Sequence, residues 1–204
     1  MDWKSRAERT HQCGSAGQTQ GTSNNYVKKK VKIMKPSPAL EISTPTEREV
    51  VLKRIFDAPR QLVFEALTTP DLLSRWYGPK GWTLILCEIE LKVGGQWRFV
   101  VQRPDGKKIG QKGVYHEVSP PERLVNTESW EDWDPGETLV TTTLFEADGK
   151  TTLTSTSLFP SQEVRDIILK SGLDEGAKES YDRLAEVLAL SESQDLDISA
   201  SETL

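Results

Sequence analysis

RIFDAPRQLVFEALTTPDLLSRWYGPKGW, residues 54–82, is the stretch whose reading decides the fold. Arg54, Ile55 and Phe56 close an extended run. Asp57 is placed to cap a helix, with Pro59 in the first turn, where a missing N–H costs nothing. Leu62, Val63, Ala66 and Leu67 then recur at helical spacing. Thr69-Pro70-Asp71 starts a second helix: a cap, a proline at the first position and an acid near the positive end of the dipole. Leu72, Leu73 and Trp76 form its apolar side, and Gly78-Pro79 stops it. Two helices this short are not stable alone in water. They require a sheet to lie against.

The flanking sequence supplies that sheet. Glu49 to Phe56 forms a first strand whose inner face the pattern leaves open. From Trp82 to Val93, Thr83, Ile85, Cys87, Ile89, Leu91 and Val93 fall on one side, and Glu88, Glu90 and Lys92 on the other. Gly94-Gly95 turns the chain into Trp97, Phe99 and Val101. Further strands follow at Ile109 to Val118, Arg123 to Glu131, Thr138 to Glu146 and Thr151 to Phe159, the last two joined by Ala147-Asp148-Gly149-Lys150. After Pro160-Ser161, Val164, Ile167 and Ile168 mark a short helical piece. Ser171 is placed to cap the last helix, with Asp174 as its capping-box partner. Leu173, Ala177, Tyr181, Leu184 and Leu188 run along one stripe of that helix. The pattern predicts an α+β domain with a long amphipathic helix on an antiparallel meander.

The ends differ from this body. Residues 1–46 are rich in Gln, Ser, Thr, Asn and Pro and carry eight basic residues against three acidic. They read as a disordered head. Met34 offers a start that leads straight into the first strand, so residues 1–33 are expected to be an upstream extension. Residues 191–204 hold four acids and no base and read as an acidic disordered tail. The domain is expected over residues 47–190.

Composition excludes several function classes. Apolar residues make up 36% and form no run near the ~20 residues of a membrane span. The first thirty residues lack a signal-peptide core, so the expected location is the cytoplasm. The acidic body argues against nucleic acid as a partner. Cys13 and Cys87 are too few for a disulfide framework, and Cys87 reads as a small buried hydrophobe. His116 stands alone on a strand; no cluster has metal-ligand spacing, no phosphate loop precedes a helix, and no nucleophile elbow appears. No catalytic residue, metal or cofactor is therefore assigned.

Aromatic content near strand and helix ends is the feature that remains. Most of these rings are expected in the core. A sheet bent around a helix also leaves an apolar gap with a few polar groups. The expected lining is Trp76, Tyr77, Trp82, Trp97, Phe99 and Tyr115, with Trp130. The hairpin adds Thr143, Phe145 and Ser155. The helical side adds Ile168, Gly172, Leu173 and Ala177, with Gly172 and Gly176 leaving the helix bare near the entrance.

Residues 47–190 resemble the Activator of heat-shock-protein-90 ATPase homologue family of the START-like, or SRPBCC, superfamily. The resemblance rests on Asp57-Ala58-Pro59, Val63-Phe64-Glu65-Ala66 and Arg75-Trp76-Tyr77-Gly78-Pro79. It continues in Val93-Gly94-Gly95-Gln96-Trp97-Arg98-Phe99, Gly113-Val114-Tyr115-His116-Glu117-Val118 and Pro120-Pro121-Glu122-Arg123-Leu124-Val125, and in Gly172 to Ala185. It implies a helix-grip fold: a curved antiparallel sheet wrapped around a long C-terminal helix, with an internal hydrophobic cavity and two short helices between the first two strands. The resemblance does not by itself fix the function; the expected function is non-catalytic binding of a small hydrophobic or aromatic molecule. Activation of a heat-shock chaperone's ATPase, in a stress response, and cyclase- or hydrolase-like catalysis in the cavity are the alternatives. The Asn-x-Asn-x-Trp-His-Trp motif of the eukaryotic co-chaperone is not present in the sequence.

Overall fold

The structure, a computed structural model, describes residues 39–201, with side chains as far as Ser191. Most of the expected head, including Met34, lies outside the described residues. The elements are β1 (Glu41–Ser43), β2 (Glu49–Phe56), α1 (Arg60–Thr68), α2 (Pro70–Trp76), β3 (Thr83–Ile89), β4 (Gln96–Gln102), β5 (Lys108–Ser119), β6 (Arg123–Trp130), β7 (Thr138–Ala147), β8 (Lys150–Leu158), α3 (Gln162–Lys170) and α4 (Leu173–Ser201). One antiparallel sheet runs in the order β1-β2-β8-β7-β6-β5-β4-β3. This is the helix-grip arrangement.

The meander forms because each turn carries residues suited to it. Asp148 and Gly149 both take positive φ, which lets Ala147 pair directly with Lys150 in a tight hairpin. A side chain at Gly95 would run into the Glu90 carbonyl oxygen, so the β3–β4 turn closes only over a glycine.

Strand register fixes the concave face. Phe56, Arg54, Leu52 and Val50 of β2 stand opposite Thr151, Leu153, Ser155 and Ser157 of β8. Leu144 and Thr142 of β7 continue the rows from Leu153 and Ser155, and Leu124 of β6 continues the row from Thr142. Two apolar clusters lie on this face. The larger gathers Phe56, Leu73, Trp76, Phe99, Leu153 and Leu184, with α1, α2 and α4 contributing. The smaller holds Val50, Phe159 and Ile168, with Trp130 and Leu173 against them.

α4 is held by polar contacts as well as by its stripe. Tyr181 meets the Phe56 ring edge-on, with centroids 6.1 Å apart. The Arg183 guanidinium donates to the carbonyl oxygens of Arg75 (2.9 Å), Gly78 (2.8 Å) and Pro79 (3.3 Å). The Glu179 carboxylate accepts from the Lys80 N–H at 2.9 Å. Arg54, buried on β2, pairs with Asp182 at 2.7 Å. Gly176 is not bare: a Cβ there would meet Pro79 at 3.3 Å, so glycine permits the close approach of helix and turn.

Several local expectations are corrected. Glu41–Ser43, assigned to the head, pairs with Val51–Lys53 as β1, and Ile42 joins the smaller cluster. α1 begins after Pro59, which has an extended ψ of 150° and gives no side-chain cap. A residue preceding proline avoids the helical region, so Ala58 cannot be the first helical residue. Asp57 instead pairs with Lys150 at 3.1 Å. Ser171 does not cap α4; its hydroxyl donates to the Ile168 carbonyl at the end of α3. The side-chain cap is Ser161, which accepts from the Val164 N–H and opens α3. Ile167 of α3 points outward at 53% exposure. α4 continues helically to Ser201, past the point where the acidic tail was expected to begin. No Gly or Pro follows Gly176 to stop it.

β3 carries the largest departure. A bulge between Leu84 and Leu86 puts Leu84 inside with Val101 and returns Cys87 and Ile89 to the inner face opposite Phe99 and Trp97. Ile85, expected inside, is 43% exposed.

Candidate functional site

The concave face is polar in its middle. Going down β6, the inward positions alternate from Leu124 through Asn126 and Glu128 to Trp130. Their partners on β7 are Thr142 for Leu124, Val140 for Asn126 and Thr138 for Glu128. Ser155 and Ser157 of β8 extend the strip opposite Thr142 and Val140. Gln111 of β5 stands opposite Trp130. This strip separates the two apolar clusters. Asn126, Glu128, Trp130, Val140, Thr142, Ser155 and Ser157 are only half-buried, whereas Leu124, Leu144 and Leu153 beside them are buried.

Within the strip, the side chains of Tyr77, Gln111 and Glu128 stand together. The Tyr77 hydroxyl, entering from the end of α2, donates to Gln111 Oε1 at 2.7 Å. Burial pushes the Glu128 carboxyl up to about 7, against the opposing pull of the Gln111 amide beside it. The same surroundings hold neighbouring groups neutral. Burial, then the Glu128 charge, raises the Tyr77 hydroxyl far above its ordinary range. Burial pushes Tyr115 and Tyr181 up to about 12 and the Cys87 thiol up to about 11. Glu128 is thus a carboxyl poised near neutrality among groups that do not titrate there.

The expected lining divides. Trp76, Trp97, Phe99 and Tyr115 are buried in the larger cluster, with Tyr77 and Trp82 packed against it. The Tyr77 and Phe99 rings meet edge-on at 5.1 Å, and Phe99 meets Trp97 at 4.9 Å. Trp130, Ile168 and Leu173 belong to the smaller cluster. Ser155 lies on the inner strip. Thr143 and Phe145 do not: Leu144 between them faces inward, so both fall on the outer face, and Phe145 is 69% exposed. Gly172 takes φ 89° at the junction of α3 and α4. Ala177 is the one stripe position between Leu173 and Tyr181, a single methyl where the others are bulky. His116 is an exposed residue at the β5 bulge, away from the strip.

Glu128, Gln111, Asn126 and Thr138 had no place in the expected lining. The signal for Glu128 was the alternation Leu124, Asn126, Glu128, Trp130. It competes with an equally regular Val125, Thr127, Ser129 alternation, and only pairing with β7 decides between them.

Among the described residues, no three His, Cys, Asp or Glu side chains are grouped to hold a metal ion, and no helix is long and apolar enough to cross a membrane. The arrangement offers one carboxyl, amide and hydroxyl donors and acceptors, and aromatic walls.

Comparison with known proteins agrees with this architecture. None of the curated proteins matches the chain. A Rhodobacter sphaeroides protein of solved structure is 31% identical, with a TM-score of 0.71 over 75% of this chain and 99% of its own. A Nitrosomonas europaea protein is 27% identical, with a TM-score of 0.67 over 74% of this chain and 99% of its own. A Silicibacter pomeroyi protein described as AHSA1 shares the fold at 23% identity, with a TM-score of 0.60 over 70% of this chain and 99% of its own. The family model for Activator of Hsp90 ATPase homolog 1-like protein matches residues 57–189, which take in α1, the sheet from β3 to β8 and the clamped part of α4. The chain belongs to that family.

Proposed function

We propose that this protein binds a small, largely apolar or aromatic molecule between the concave face of the sheet and α4. One observation carries the reading: the row of half-buried polar side chains in the middle of that face, flanked on both sides by closed apolar clusters. Polar groups in an interior demand partners. A sheet centre left partly accessible beneath a helix is where a ligand supplies them. The aromatic rings of Tyr77, Phe99 and Trp97 give such a ligand shape, and its buried apolar area supplies affinity at ~25 cal/mol per Å².

Native mass spectrometry of the purified full chain tests this, together with thermal-shift screening against lipids, flavonoids and polyketides. The expected result is a co-purified small molecule or a ligand that raises Tm. A crystal structure in which Asn126, Ser155 and Ser157 are sealed by protein atoms, with no ligand raising Tm, overturns it.

A second reading has one observation in its favour. A carboxyl held at about 7 is matched to general acid or base work at neutral pH. Turnover lost in Glu128→Gln, with ligand affinity kept, distinguishes catalysis from carriage. The chaperone-activator reading rests on the family description alone.

A further inference from the structure

Glu128 narrows the class of ligand, given the binding reading above. A carboxylate offers about four acceptor sites, and it accepts only. The Gln111 amide is the one group that favours its ionised form. The buried guanidinium on the same face, Arg54, is already committed to Asp182 at 2.7 Å and lies over the Phe56 ring. No cation of this chain, among the described residues, is paired with Glu128.

The walls point the same way. Tyr77 is tied to the same Gln111, and the Phe99 ring packs against Tyr77 with the Trp97 ring beyond it. Aromatic faces attract cations, the more so when water is excluded. An anion fixed among aromatic rings repels an acid. It leaves a neutral alcohol facing an uncompensated charge, whereas a protonated nitrogen neutralises it.

We propose that the interior takes lipophilic amines: an apolar or aromatic body whose protonated nitrogen docks on the Glu128 carboxylate, with the Tyr77–Gln111 pair holding that carboxylate in place. The ionisable groups facing this site are Tyr77 beyond α2, Cys87 on β3, Tyr115 on β5 and Tyr181 on α4. All are held neutral at pH 7, so Glu128 sets the charge.

The test uses two isosteric probes, 2-(2-naphthyl)ethylamine and 2-(2-naphthyl)ethanol, titrated calorimetrically into the full chain and into Glu128→Gln. The wild type is expected to bind the amine about tenfold more tightly than the alcohol near pH 8 and to lose that preference near pH 5.5, where Glu128 is protonated. Glu128→Gln is expected to bind the alcohol as the wild type does, which also reports that the variant is folded, and to show no amine preference at either pH. Equal affinity of the two probes for the wild type, or a preference that survives in Glu128→Gln, overturns the amine assignment and leaves the ligand-binding reading intact. Failure of both probes to bind the wild type overturns the amine assignment at its root and counts against the ligand-binding reading as well.

Discussion

The two halves of the concave face are built on opposite terms. Under the middle of α4, from Tyr181 to Leu188, the interior is closed: Leu153 and Leu184 have no exposed surface, and Arg183 fastens the helix to the turn after α2. The other half, the strip between the two clusters, presents half-buried Asn126, Glu128 and Ser157, and the helix stripe thins to a methyl at Ala177. The closed half is where burial stabilises the fold. The open half contains a carboxyl that burial works against. Under the binding reading proposed above, stability and recognition fall to different parts of one sheet.

That division is breakable. The largest effect is expected from Leu153→Ala, which empties a fully buried site in the closed half. It should lower the unfolding free energy by about 3 kcal/mol, read from urea denaturation. A loss well under 1 kcal/mol would mean that the closed half is not where stability resides.

In the open half, Glu128→Gln should act with the opposite sign. The folded-state value of Glu128 is raised to about 7 from the ordinary 4.5, so the folded chain holds a proton that the unfolded chain has released between those limits. Stability falls as pH climbs through that window and stays lower above it. The amide carries no such penalty. The variant should be more stable than wild type by at most about 3 kcal/mol near pH 8 and equal to it near pH 4, in denaturation curves at the two pH values.

Smaller effects sharpen the boundary. Arg183→Leu should cost about 1–2 kcal/mol with no pH dependence, since it removes hydrogen bonds to carbonyls and not a titrating contact. Phe145→Ser, on the outer face, should stay within about 0.5 kcal/mol and leave probe affinity unchanged. A change in affinity there would put the ligand outside the concave face.

Much of the architecture was legible because it rests on local rules. Asp148-Gly149 specified a hairpin, Pro70 opened α2, and Tyr181, Leu184 and Leu188 of the α4 stripe pack in the larger cluster where their spacing put them. What failed was face assignment. Every strand offers two alternations, and composition separates them only where one side is clearly apolar. In β3 the apolar side was clear, yet the bulge at Ile85 exchanged the faces partway along. In β7, three consecutive threonines give no contrast, and only the register with β6 and β8 puts Thr142 rather than Thr143 on the inner face. Glu128 was hidden for a physical reason. A charge is the last residue expected indoors, and its position is fixed by pairing with a strand ten residues further along the chain.

The three carbonyls gripped by Arg183 belong to Arg75, Gly78 and Pro79, and Tyr77 lies between them. Docking of α4 thus fixes the backbone on either side of that phenol. One guanidinium on α4 therefore anchors both the surface turn at Gly78-Pro79-Lys80 and the backbone that carries the phenol to Gln111.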